Sequence, residues 1–411
     1  MADLAGPEVA VWQVLEARAH DLLKRHGYAE VRTPILEPTD LFARGLGDTT
    51  DVVQKEMYTF TDRGGRSLTL RPEGTASVIR HVAARGAEGL SARLYYLGPM
   101  FRNERPQAGR RRQFHQVGLE RLGEPDPLAD AEVIALQVDL LADWGLEGTR
   151  LLVNTRGTPE DRVAVSKGLQ VALRPLAEAL CEDCRRRIDT NPLRVLDCKR
   201  PACQEATRDV PSPVSWMSPE SRVYFDTVVR ALGAMGLDAE PTPRLVRGLD
   251  YYVHTVWEIT HPGLGAQDAV AGGGRYLLPL EGKGIPGVGF AVGMERAVLA
   301  LESAGRLPEP PRPPHVVFLA GLGQAEGLAN LGLARDLRRS GLTVLAGDCH
   351  RSLKSQLKSA DKASADWALI RGEDELARRE VTLRRLRDGW QTTVPDDPDA
   401  VRNALVETNE S

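Results

Sequence analysis

Three arginines occupy positions suited to binding a polyphosphate. Arg102 follows a predicted strand and precedes a polar loop, Arg247 opens the sequence RGLDYY (247–252), and Arg296 lies in the first turn of a predicted helix. The guanidinium group is planar and permanently charged, so it can bind two phosphate oxygens at once. Three such groups on one sheet could neutralise a triphosphate and the transition state of attack at an α-phosphorus. A single arginine is more often a solvated surface residue, so the hypothesis depends on the three acting together.

Two carboxylates and an amide are spaced for a pocket. Glu73 lies in the sequence LRPEGTA (70–76), and Glu120 ends the sequence QFHQVGLE (113–120). Gln116, Gly118 and Glu120 share one face of a strand because side chains alternate between the two faces. An amide and an acid on one face predict recognition of a small polar ligand that bears an amine or an imidazole. An ordinary solvent-facing strand remains the alternative.

Two glycine runs are weak signals. The run at 272–274 is compatible with a turn or with a close approach of the backbone to a ligand. Gly321 and Gly323 follow a predicted strand and resemble the start of a dinucleotide-binding fingerprint. Glu326 stands where the third glycine of that fingerprint should be, which excludes this interpretation.

Four of the five cysteines fall within a short stretch, at Cys181, Cys184, Cys198 and Cys203. Thiolates at such spacings can bind zinc tetrahedrally. The last two are separated by four residues, which is looser than in the usual zinc ribbon. A structural zinc ion and a metal-free segment therefore both remain open.

The elements that position these residues predict an α+β fold. Apolar residues at helical spacing from Trp12 to Leu23 predict a first helix that ends at Gly27, and a short strand is predicted at 29–33. Strands predicted at 57–61, 67–70, 93–97, 114–122 and 253–260 follow one another as hairpins, which favours a mainly antiparallel sheet. The sequence GVGFAVG (287–293) is predicted to lead into another helix.

The chain of 411 residues is too long for one core. We predict a first part of a catalytic core at 1–153, a helical insertion with the cysteines at 154–243, and a second part of the core at 244–307. The sequence PEPPRPP (308–314) predicts a stiff linker. Strands predicted at 316–320, 343–346 and 367–370 alternate with helices predicted near 324–340 and at 353–363. The first strand, helix and second strand form a βαβ unit, and the whole pattern predicts an α/β domain at 315–411.

Composition is that of an ordinary globular protein, with 42% hydrophobic and 27% charged residues. The sequence has no apolar run long enough for a membrane span and no signal peptide at its first residues, so we expect a cytoplasmic protein. The net charge of −4 argues against nucleic-acid binding. Local basic clusters exist at 102–112 and at Lys354, Lys358 and Lys362, but charge alone favours a solvated surface.

Taken in order, these sequences resemble the motifs of the histidyl-tRNA synthetase family of class II aminoacyl-tRNA synthetases. The sequence PILE (34–37) resembles motif 1, the stretch 101–120 resembles motif 2 with its loop, and the stretch 287–296 resembles motif 3. RGLDYY (247–252) and GGGRY (272–276) resemble motifs specific to the histidine enzymes. The sequences LRPEGTA (70–76) and RSLK (351–354) also match the family. The resemblance covers roughly residues 8 to 395.

The resemblance implies two reactions. The carboxylate of histidine attacks the α-phosphorus of ATP to give histidyl-adenylate and pyrophosphate, and the terminal ribose of the tRNA then accepts the acyl group. Arg102 and Arg247 would hold the α-phosphate as catalytic residues, Arg247 in a role that other class II enzymes give partly to a metal ion. By the same resemblance, the ATP-binding residues are Arg102, Glu104, Arg110, Phe114 and Arg296. The residues that bind histidine are Glu73, Thr75, Gln116, Glu120, Tyr251, Tyr252 and Tyr276.

The resemblance also implies partners. Magnesium is expected with the β- and γ-phosphates of ATP, and the protein is expected to be a homodimer through motif 1. The domain after the linker resembles an anticodon-binding domain, so Lys354 and Lys358 would contact the RNA backbone. Gln107 and Arg112 in the motif 2 loop would contact the acceptor end of the tRNA.

Two features depart from the family pattern. Leu277 and Leu278 stand where the family usually has Asp and Gly, which puts the geometry of an expected turn in question. The chain also begins close to its first helix, without the short segment that usually precedes it; a misassigned start and a true loss are both compatible with this.

Two other functions remain as alternatives. One is a regulatory subunit of ATP phosphoribosyltransferase that keeps the synthetase fold, although such proteins usually lose the motif 2 arginines and the anticodon-binding domain. The other is an RNA-binding or stress-sensing module without catalysis, which would not need Glu73 and Glu120.

Overall fold

The structure, a computed structural model, describes residues 3–46, 52–85, 92–105, 107, 109–246, 251–265, 267–280, 283–311 and 315–407. The chain divides into two units, Met1–Pro310 and Pro311–Ser411, and the division falls within the predicted proline-rich linker. Nowhere in the described ranges is a helix both long and apolar enough to cross a bilayer.

The first unit contains two sheets and ten helices among its described residues. Its strands are β1 (Ala29–Glu30), β2 (Leu36–Pro38), β3 (Tyr58–Thr61), β4 (Ser67–Leu70), β5 (Ala92–Phe101), β6 (Gln113–Leu122), β7 (Arg150–Thr155), β8 (Ala239–Pro241), β9 (Tyr252–Thr260), β10 (Ala269–Leu280) and β11 (Lys283–Gly293). Its helices are α1 (Pro7–Arg25), α2 (Thr39–Leu46), α3 (Thr75–Ala83), α4 (Pro127–Asp143), α5 (Pro159–Leu173), α6 (Glu182–Thr190), α7 (Leu193–Leu196), α8 (Pro201–Ala206), α9 (Pro219–Ala234) and α10 (Met294–Ser303).

The main sheet has eight strands in the order β1-β5-β6-β11-β10-β9-β7-β8. The pairs from β5 to β7 are all antiparallel, and only the short edge strands β1 and β8 pair in parallel. The prediction of a mainly antiparallel α+β fold is therefore confirmed. In the centre of the sheet, Glu120 of β6 lies between Leu94 of β5 and Gly289 of β11.

The first helix confirms its predicted apolar face. Trp12, Leu15 and Leu22 of α1 are buried in one core with residues of α4, α9 and α10 and of the main sheet. The backbone at Gly27, just after the helix, has φ of +78°, a conformation that glycine adopts without the steric cost of a side chain. The strand predicted at 29–33 is shorter than expected: it covers only Ala29–Glu30, although the Val31 amide still donates to the Tyr95 carbonyl at 2.8 Å.

A second, three-stranded sheet has the order β2-β4-β3 and is followed by α3. The central strand β4 pairs with both of its neighbours. Leu70 of β4 lies opposite Leu36 of β2 and Tyr58 of β3, and Leu68 of β4 lies opposite Pro38 of β2 and Phe60 of β3. Partners across an antiparallel ladder point to the same face, so one face of this sheet is apolar except for the Tyr58 hydroxyl, which donates to the Asn103 side-chain oxygen at 3.3 Å.

The segment predicted as an insertion, 154–243, is mainly helical, but its ends belong to the main sheet. Asn154 and Thr155 pair within β7–β9, and β8 pairs with β7. Phe225, Val228 and Leu232 of α9 join the main core. The part with a hydrophobic cluster of its own runs from Val165 on α5 to Met217 and includes the cysteines. The exact domain limits stay a prediction.

The second unit is an α/β domain. Its elements are β12 (Val316–Gly321), α11 (Gln324–Arg339), β13 (Thr343–Ala346), α12 (Leu353–Lys362), β14 (Trp367–Arg371), α13 (Glu373–Arg378), β15 (Glu380–Arg385), β16 (Gln391–Pro395) and α14 (Pro398–Glu407). The sheet order is β13-β12-β14-β15-β16, with the first three strands parallel and the last two antiparallel. The sequence interpretation identified the elements as far as β14 and did not identify α13, β15, β16 and α14.

Candidate active site

A small cavity of about 60 Å³ lies on the main sheet, where the start of α3 meets strands β6, β9, β10 and β11. We call it the Glu120 cavity. It is lined by all seven residues predicted to bind the amino acid, which are Glu73, Thr75, Gln116, Glu120, Tyr251, Tyr252 and Tyr276, and by Arg102. The fold thus brings together residues that are up to about two hundred positions apart in sequence. Their role in ligand binding stays a prediction.

Glu120 is the most deeply buried acid of this cavity, with 1% of its surface exposed. Its Oε1 accepts a hydrogen bond from the Thr75 hydroxyl at 2.6 Å, and its Oε2 accepts one from the Tyr276 hydroxyl at 2.6 Å. Burial raises the pKa of Glu120 to about 8; the two hydroxyl donors oppose this, and the nearby charge of Glu73 adds to it. A carboxyl group held this way can change its protonation near neutral pH.

Glu73 closes the cavity from the side of α3. Its Oε2 accepts from the Thr75 amide at 2.7 Å and its Oε1 from the Ala76 amide at 2.9 Å, so the carboxylate caps the first turn of the helix. Burial raises the pKa of Glu73, while these N–H donors and the charge of Arg102 act in the opposite direction. The remaining lone pairs of a capping carboxylate are available to a cationic ligand.

Three tyrosines form an aromatic wall. The ring centroid of Tyr251 lies 4.7 Å from that of Tyr252 and 5.7 Å from that of Tyr276, both in edge-to-face geometry. All three side chains are buried. Such a wall excludes water and leaves the hydroxyl groups to select polar ligands.

The glycine run at 272–274 lies in the middle of β10, so the interpretation of this run as a turn is wrong. A Cβ atom on Gly273 would lie 2.2 Å from the Gly289 carbonyl oxygen, and one on Gly274 would lie 2.5 Å from the Tyr252 ring. On the neighbouring strand, a Cβ on Gly289 would lie 2.1 Å from Oε2 of Glu120. Gly274 and Gly289 therefore make room for Tyr252 and Glu120, which line the cavity, and Gly273 allows a close approach of the β11 backbone.

Tyr96 lines the same cavity and was not identified from the sequence. Its ring lies over two glycines, because a Cβ on Gly74 or Gly118 would come within 2.2 Å or 2.1 Å of a ring carbon. The register pairs Tyr96 with Gly118, two residues from Glu120, so both side chains share one face of the sheet. Only this register distinguishes Tyr96 from the adjacent Tyr95.

Gln116 has a side-chain oxygen, Oε1, that is buried and has no hydrogen-bond partner among the described residues. A buried polar atom without a partner costs free energy, on the order of 1–3 kcal/mol, unless a ligand or water satisfies it. Because Gln116 lines the Glu120 cavity, this oxygen indicates a place for an N–H donor of a ligand.

Next to the cavity lies a group of charged and aromatic side chains that we call the arginine region: Arg102, Glu104, Arg110, Phe114 and Arg296. The Arg102 guanidinium lies 5.2 Å from the centroid of the Phe114 ring, and its Nε donates to the Pro72 carbonyl at 2.9 Å. Glu104 has carboxylate oxygens 3.8 Å from Arg102 and 3.1 Å from Arg110. Four of the five predicted ATP-binding residues thus lie close together.

Arg296 completes the arginine region at the start of α10. Its Nε donates to the Ala269 carbonyl at 2.6 Å, and Gln267 provides a second carbonyl acceptor. Burial, and secondarily the charge of Arg110, lower the pKa of Arg296. Two guanidinium groups close enough to repel each other favour an anion between them.

Three further residues predicted to bind ATP or tRNA are Arg247, Gln107 and Arg112. Arg247, with residues 248–250 of the same motif, lies outside the described residues. Gln107 is exposed, and its amide donates to the Gln267 side-chain oxygen at 3.1 Å. Arg112 is exposed, and its Nε lies 3.5 Å from the Glu104 carbonyl oxygen.

The two leucines that depart from the family pattern continue strand β10. Leu277 pairs with Pro286 and Leu278 with Ile285, and Leu278 is buried against α2 and α3 residues. At these positions the chain therefore continues the β10–β11 ladder and does not turn. The residues upstream, including Tyr276, keep their positions in the Glu120 cavity.

A larger cavity of about 340 Å³ lies between α2 and α3. Leu41, Ala76, Ile79 and Leu278 make its lining mostly apolar. It contains none of the predicted site residues, so we do not assign it to the chemistry.

The four clustered cysteines come together in space. Their sulfur atoms lie within 4.8 Å of one another, and all four thiols are free. In the second unit, Lys354 and Lys358 are exposed on one face of α12, as predicted from their spacing.

Comparisons with known proteins agree with the resemblance. A family model described as histidyl-tRNA synthetase matches residues 1–172, and a model described as anticodon binding domain matches residues 321–398. A histidine–tRNA ligase from Moorella thermoacetica is 48% identical over 398 residues, which cover 96% of this chain and 94% of the relative.

Two solved structures are similar over most of the chain. The apo histidyl-tRNA synthetase of S. aureus superposes with a TM-score of 0.80 at 32% identity and covers 99% of this chain and 97% of its own. A protein of Bacillus halodurans C described as an ATP phosphoribosyltransferase regulatory subunit/histidyl-tRNA synthetase gives a TM-score of 0.61 at 20% identity, covering 90% and 95% of the two chains. The second likeness shows the fold alone.

Proposed function

The chain belongs to the histidyl-tRNA synthetase family, and we infer that it carries out the reaction for which the family is named, the ATP-dependent ligation of histidine to its tRNA. In the first step the carboxylate of histidine attacks the α-phosphorus of ATP, which gives histidyl-adenylate and releases pyrophosphate. In the second step the terminal ribose of the tRNA accepts the histidyl group from the adenylate, and AMP leaves. The observation that carries this inference is the Glu120 cavity, where acids, an amide and tyrosine hydroxyls surround a space for a small polar ligand.

We propose that Glu120 binds the imidazole ring of histidine. Each of its oxygens accepts one hydrogen bond from the protein and keeps a lone pair for a ring N–H. Tyr252 and Tyr276 flank the ring. A pocket that pairs the imidazole nitrogens rejects amino acids without them by roughly 10⁴-fold or more, because its buried polar groups would be left unpaired.

The α-amino group of histidine then binds at Glu73, Thr75 and Gln116. Glu73 supplies the negative charge opposite an ammonium group, and Oε1 of Gln116 supplies an acceptor that has no partner among the described residues. This orientation directs the histidine carboxylate to Arg102, the one member of the arginine region that also lines the Glu120 cavity.

ATP binds in the arginine region. Arg102 and Arg247 hold the α-phosphate, Arg110 and Arg296 the outer phosphates, and Phe114 lies against the adenine base. Fixed guanidinium groups aimed at the developing charge on phosphorus lower the barrier. Oxygen donors suited to Mg²⁺ are present in Glu104, and in Glu258 and Asp268, whose charges act on Arg296. The ion, bound with ATP, would supply further neutralisation of the phosphates.

Two surfaces are proposed for the tRNA. Gln107 and Arg112 in the exposed motif 2 loop contact the acceptor end, and Lys354 and Lys358 on α12 contact the RNA backbone in the anticodon-binding domain. Both pairs expose polar or cationic groups that can replace water at phosphates and bases. A role in translation accords with the predicted cytoplasmic location.

The homodimer predicted from motif 1 is supported by an exposed apolar surface. Leu36 and Phe60 are 39% and 47% exposed on the apolar face of the three-stranded sheet, and the adjacent Ile35 is 43% exposed. That face consists of Leu36, Pro38, Tyr58, Phe60, Leu68 and Leu70. A contiguous apolar face next to motif 1 is what a second copy of the chain would bury.

The experiment that tests the function is ATP–pyrophosphate exchange with each of the twenty amino acids, without tRNA. We expect exchange with histidine alone. Exchange with none of them, from folded protein that binds ATP, would instead favour the regulatory subunit. Aminoacylation of histidine tRNA by the same preparation tests the second step separately.

A further inference from the structure

The cysteine cluster lies outside the Glu120 cavity and the arginine region, and the proposed function makes no use of it. We propose that Cys181, Cys184, Cys198 and Cys203 bind one structural zinc ion. The four sulfur atoms lie within 4.8 Å of one another. Four sulfurs around a tetrahedral zinc ion, at about 2.3 Å from the metal, are separated from each other by about 3.8 Å. The cluster therefore needs only small adjustments of the side chains to bind the ion.

The four thiols come from two separate places in the chain, the start of α6 and the segment from the end of α7 to α8. Cys181 immediately precedes α6 and Cys184 lies in its first turn, so both point to the N-terminal end of that helix. Cys198 follows α7 and Cys203 lies on α8. The Cys181 amide donates to the Cys203 sulfur at 3.2 Å, a contact that joins the two pairs. N–H donors of this kind stabilise thiolate ligands in metal centres.

The looser spacing of the second pair has a structural explanation. Pro201 begins α8, and a short link that ends in the extended backbone of Arg200 takes up the additional residues between Cys198 and that helix. Cys203 thereby reaches the same point as Cys184, and the two are 1% and 0% exposed. A spacing that argued against zinc in the linear sequence is compatible with it in three dimensions.

The surrounding segment has little else to stabilise it. Helices α6, α7 and α8 have nine, four and six residues, which is too short for helices that are stable on their own. Their apolar contacts form a cluster that is separate from the main core and includes the cysteines themselves. A metal ion that joins the three helices supplies the cross-link that small domains with limited cores often require.

The local charge also suits a zinc–thiolate centre. Four thiolates around Zn²⁺ carry a net charge of −2, which is unfavourable in an apolar setting without compensation. From Cys181 to Cys203 the sequence contains six basic and four acidic residues. This local excess of positive charge compensates the charge of the centre, although the whole chain is acidic.

The test begins with the metal content of the full-length protein, purified under reducing conditions without added metal and analysed by mass spectrometry of the elements. We expect about one zinc ion per chain, with Co²⁺ substitution giving the absorption spectrum of a tetrahedral tetrathiolate centre. Protein without zinc that also fails to bind Co²⁺ would overturn the proposal, as would native protein whose four thiols are joined in disulfides.

Variants locate the ion. Cys198→Ser and Cys203→Ser should each lose most of the zinc, whereas Cys349→Ser, which removes the fifth cysteine in the second unit, should retain it. Zinc bound at full occupancy in the two first variants would place the ion elsewhere. If these variants do not fold, the thiol reactivity of the wild-type protein decides: in the native state Cys349 should react with a thiol reagent and the other four should not.

A chelator provides a readout of the structural role. Removal of zinc should expose the arginine-rich segment 185–208 to trypsin, and added zinc should restore protection. Unchanged cleavage after complete removal of the metal would contradict a structural role. None of these readouts depends on aminoacylation, so failure of this proposal is distinguishable from failure of the proposed function.

Discussion

The Glu120 cavity and the arginine region adjoin each other in the first unit, but they satisfy their polar groups in different ways. Glu120 and Glu73 are 1% and 4% exposed, and the oxygens of both accept hydrogen bonds from Thr75, Ala76 or Tyr276. In the arginine region the side chains of Arg102 and Arg110 are 22% and 44% exposed. Arg102 and Arg296 donate to main-chain carbonyls, and Arg110 pairs with Glu104.

The difference follows from solvation. A buried carboxylate needs partners whether or not a ligand is present, so the Glu120 cavity must be organised before histidine binds. A partly exposed guanidinium group can exchange a weak partner for a phosphate at little cost. We therefore expect that the amino-acid pocket is rigid in the free protein, and that ATP rearranges the arginine region when it binds.

The largest effect is expected from a change in the arginine region. Arg102→Ala should lower histidine-dependent ATP–pyrophosphate exchange by about 10²–10³-fold, because it removes a cationic group from the reacting phosphate. Histidine binding measured by calorimetry without ATP should weaken by much less than exchange falls, because Glu120 and Glu73 still bind the ring and the amino group. Arg63→Ala, at an exposed position in the turn between β3 and β4, is the matched control and should keep normal exchange. Exchange within fivefold of the wild type in Arg102→Ala would remove Arg102 from the phosphate site.

A substitution in the Glu120 cavity should weaken the binding of histidine and leave the binding of ATP unchanged. Glu120→Gln keeps the shape of the side chain but can never become a carboxylate, whereas Glu120 can lose its proton when it accepts a ring N–H of histidine. Hydrogen bonds to charged groups are worth about 1.5–3 kcal/mol. We expect the KM for histidine to rise roughly 10–100-fold while the KM for ATP stays unchanged. Glu220→Gln, on the exposed start of α9, is the control. An unchanged KM for histidine would show that Glu120 does not bind the ring.

The pH dependence of stability should reveal the same carboxyl group. The pKa of Glu120 is about 8 in the folded protein, above its ordinary value, so the folded state retains a proton that the unfolded state releases. This contribution to stability is fully present below the ordinary pKa and is lost as the pH rises through about 8. Between these limits the free energy of unfolding of the ligand-free wild type should fall, relative to Glu120→Gln, by up to about 1.4 kcal/mol per pH unit. If the denaturant midpoints of the wild type and of Glu120→Gln changed with pH in the same way across this range, the raised pKa would be contradicted.

The smallest effect is expected outside both regions. Changing Lys354 and Lys358 together to alanine should leave ATP–pyrophosphate exchange unchanged and raise the KM for tRNA severalfold, with a weaker dependence on salt because fewer counterions are released. Lys24→Ala, an exposed change on α1, is the control. A fall in exchange without tRNA would mean that the change affects the catalytic unit rather than RNA binding.

Sequence reasoning identified most of the Glu120 cavity because its residues are carried by short, ordered motifs. The period of two placed Gln116 and Glu120 on one face, and both line the cavity. Tyr96 was missed because neither Tyr95 nor Tyr96 has a pattern that selects a face without the register of β5 against β6. The glycine run at 272–274 was open to interpretation as a turn, because the sequence does not show which side chains pack against a glycine. In the structure, Trp257 packs against Gly273 and Tyr252 packs against Gly274.

The sequence by itself determined the residue types, their order, and the periodicities of α1, the central strands and the βαβ unit that starts the second domain. Those features depend on local geometry and on motifs that are contiguous in the chain. Only the tertiary structure decided which strands are neighbours, that Thr75 and Tyr276 both donate to Glu120, and that four cysteines spread over 23 residues meet at one point. Hydrogen bonds and desolvation act between residues that are close in space, and distance along the chain does not specify that closeness.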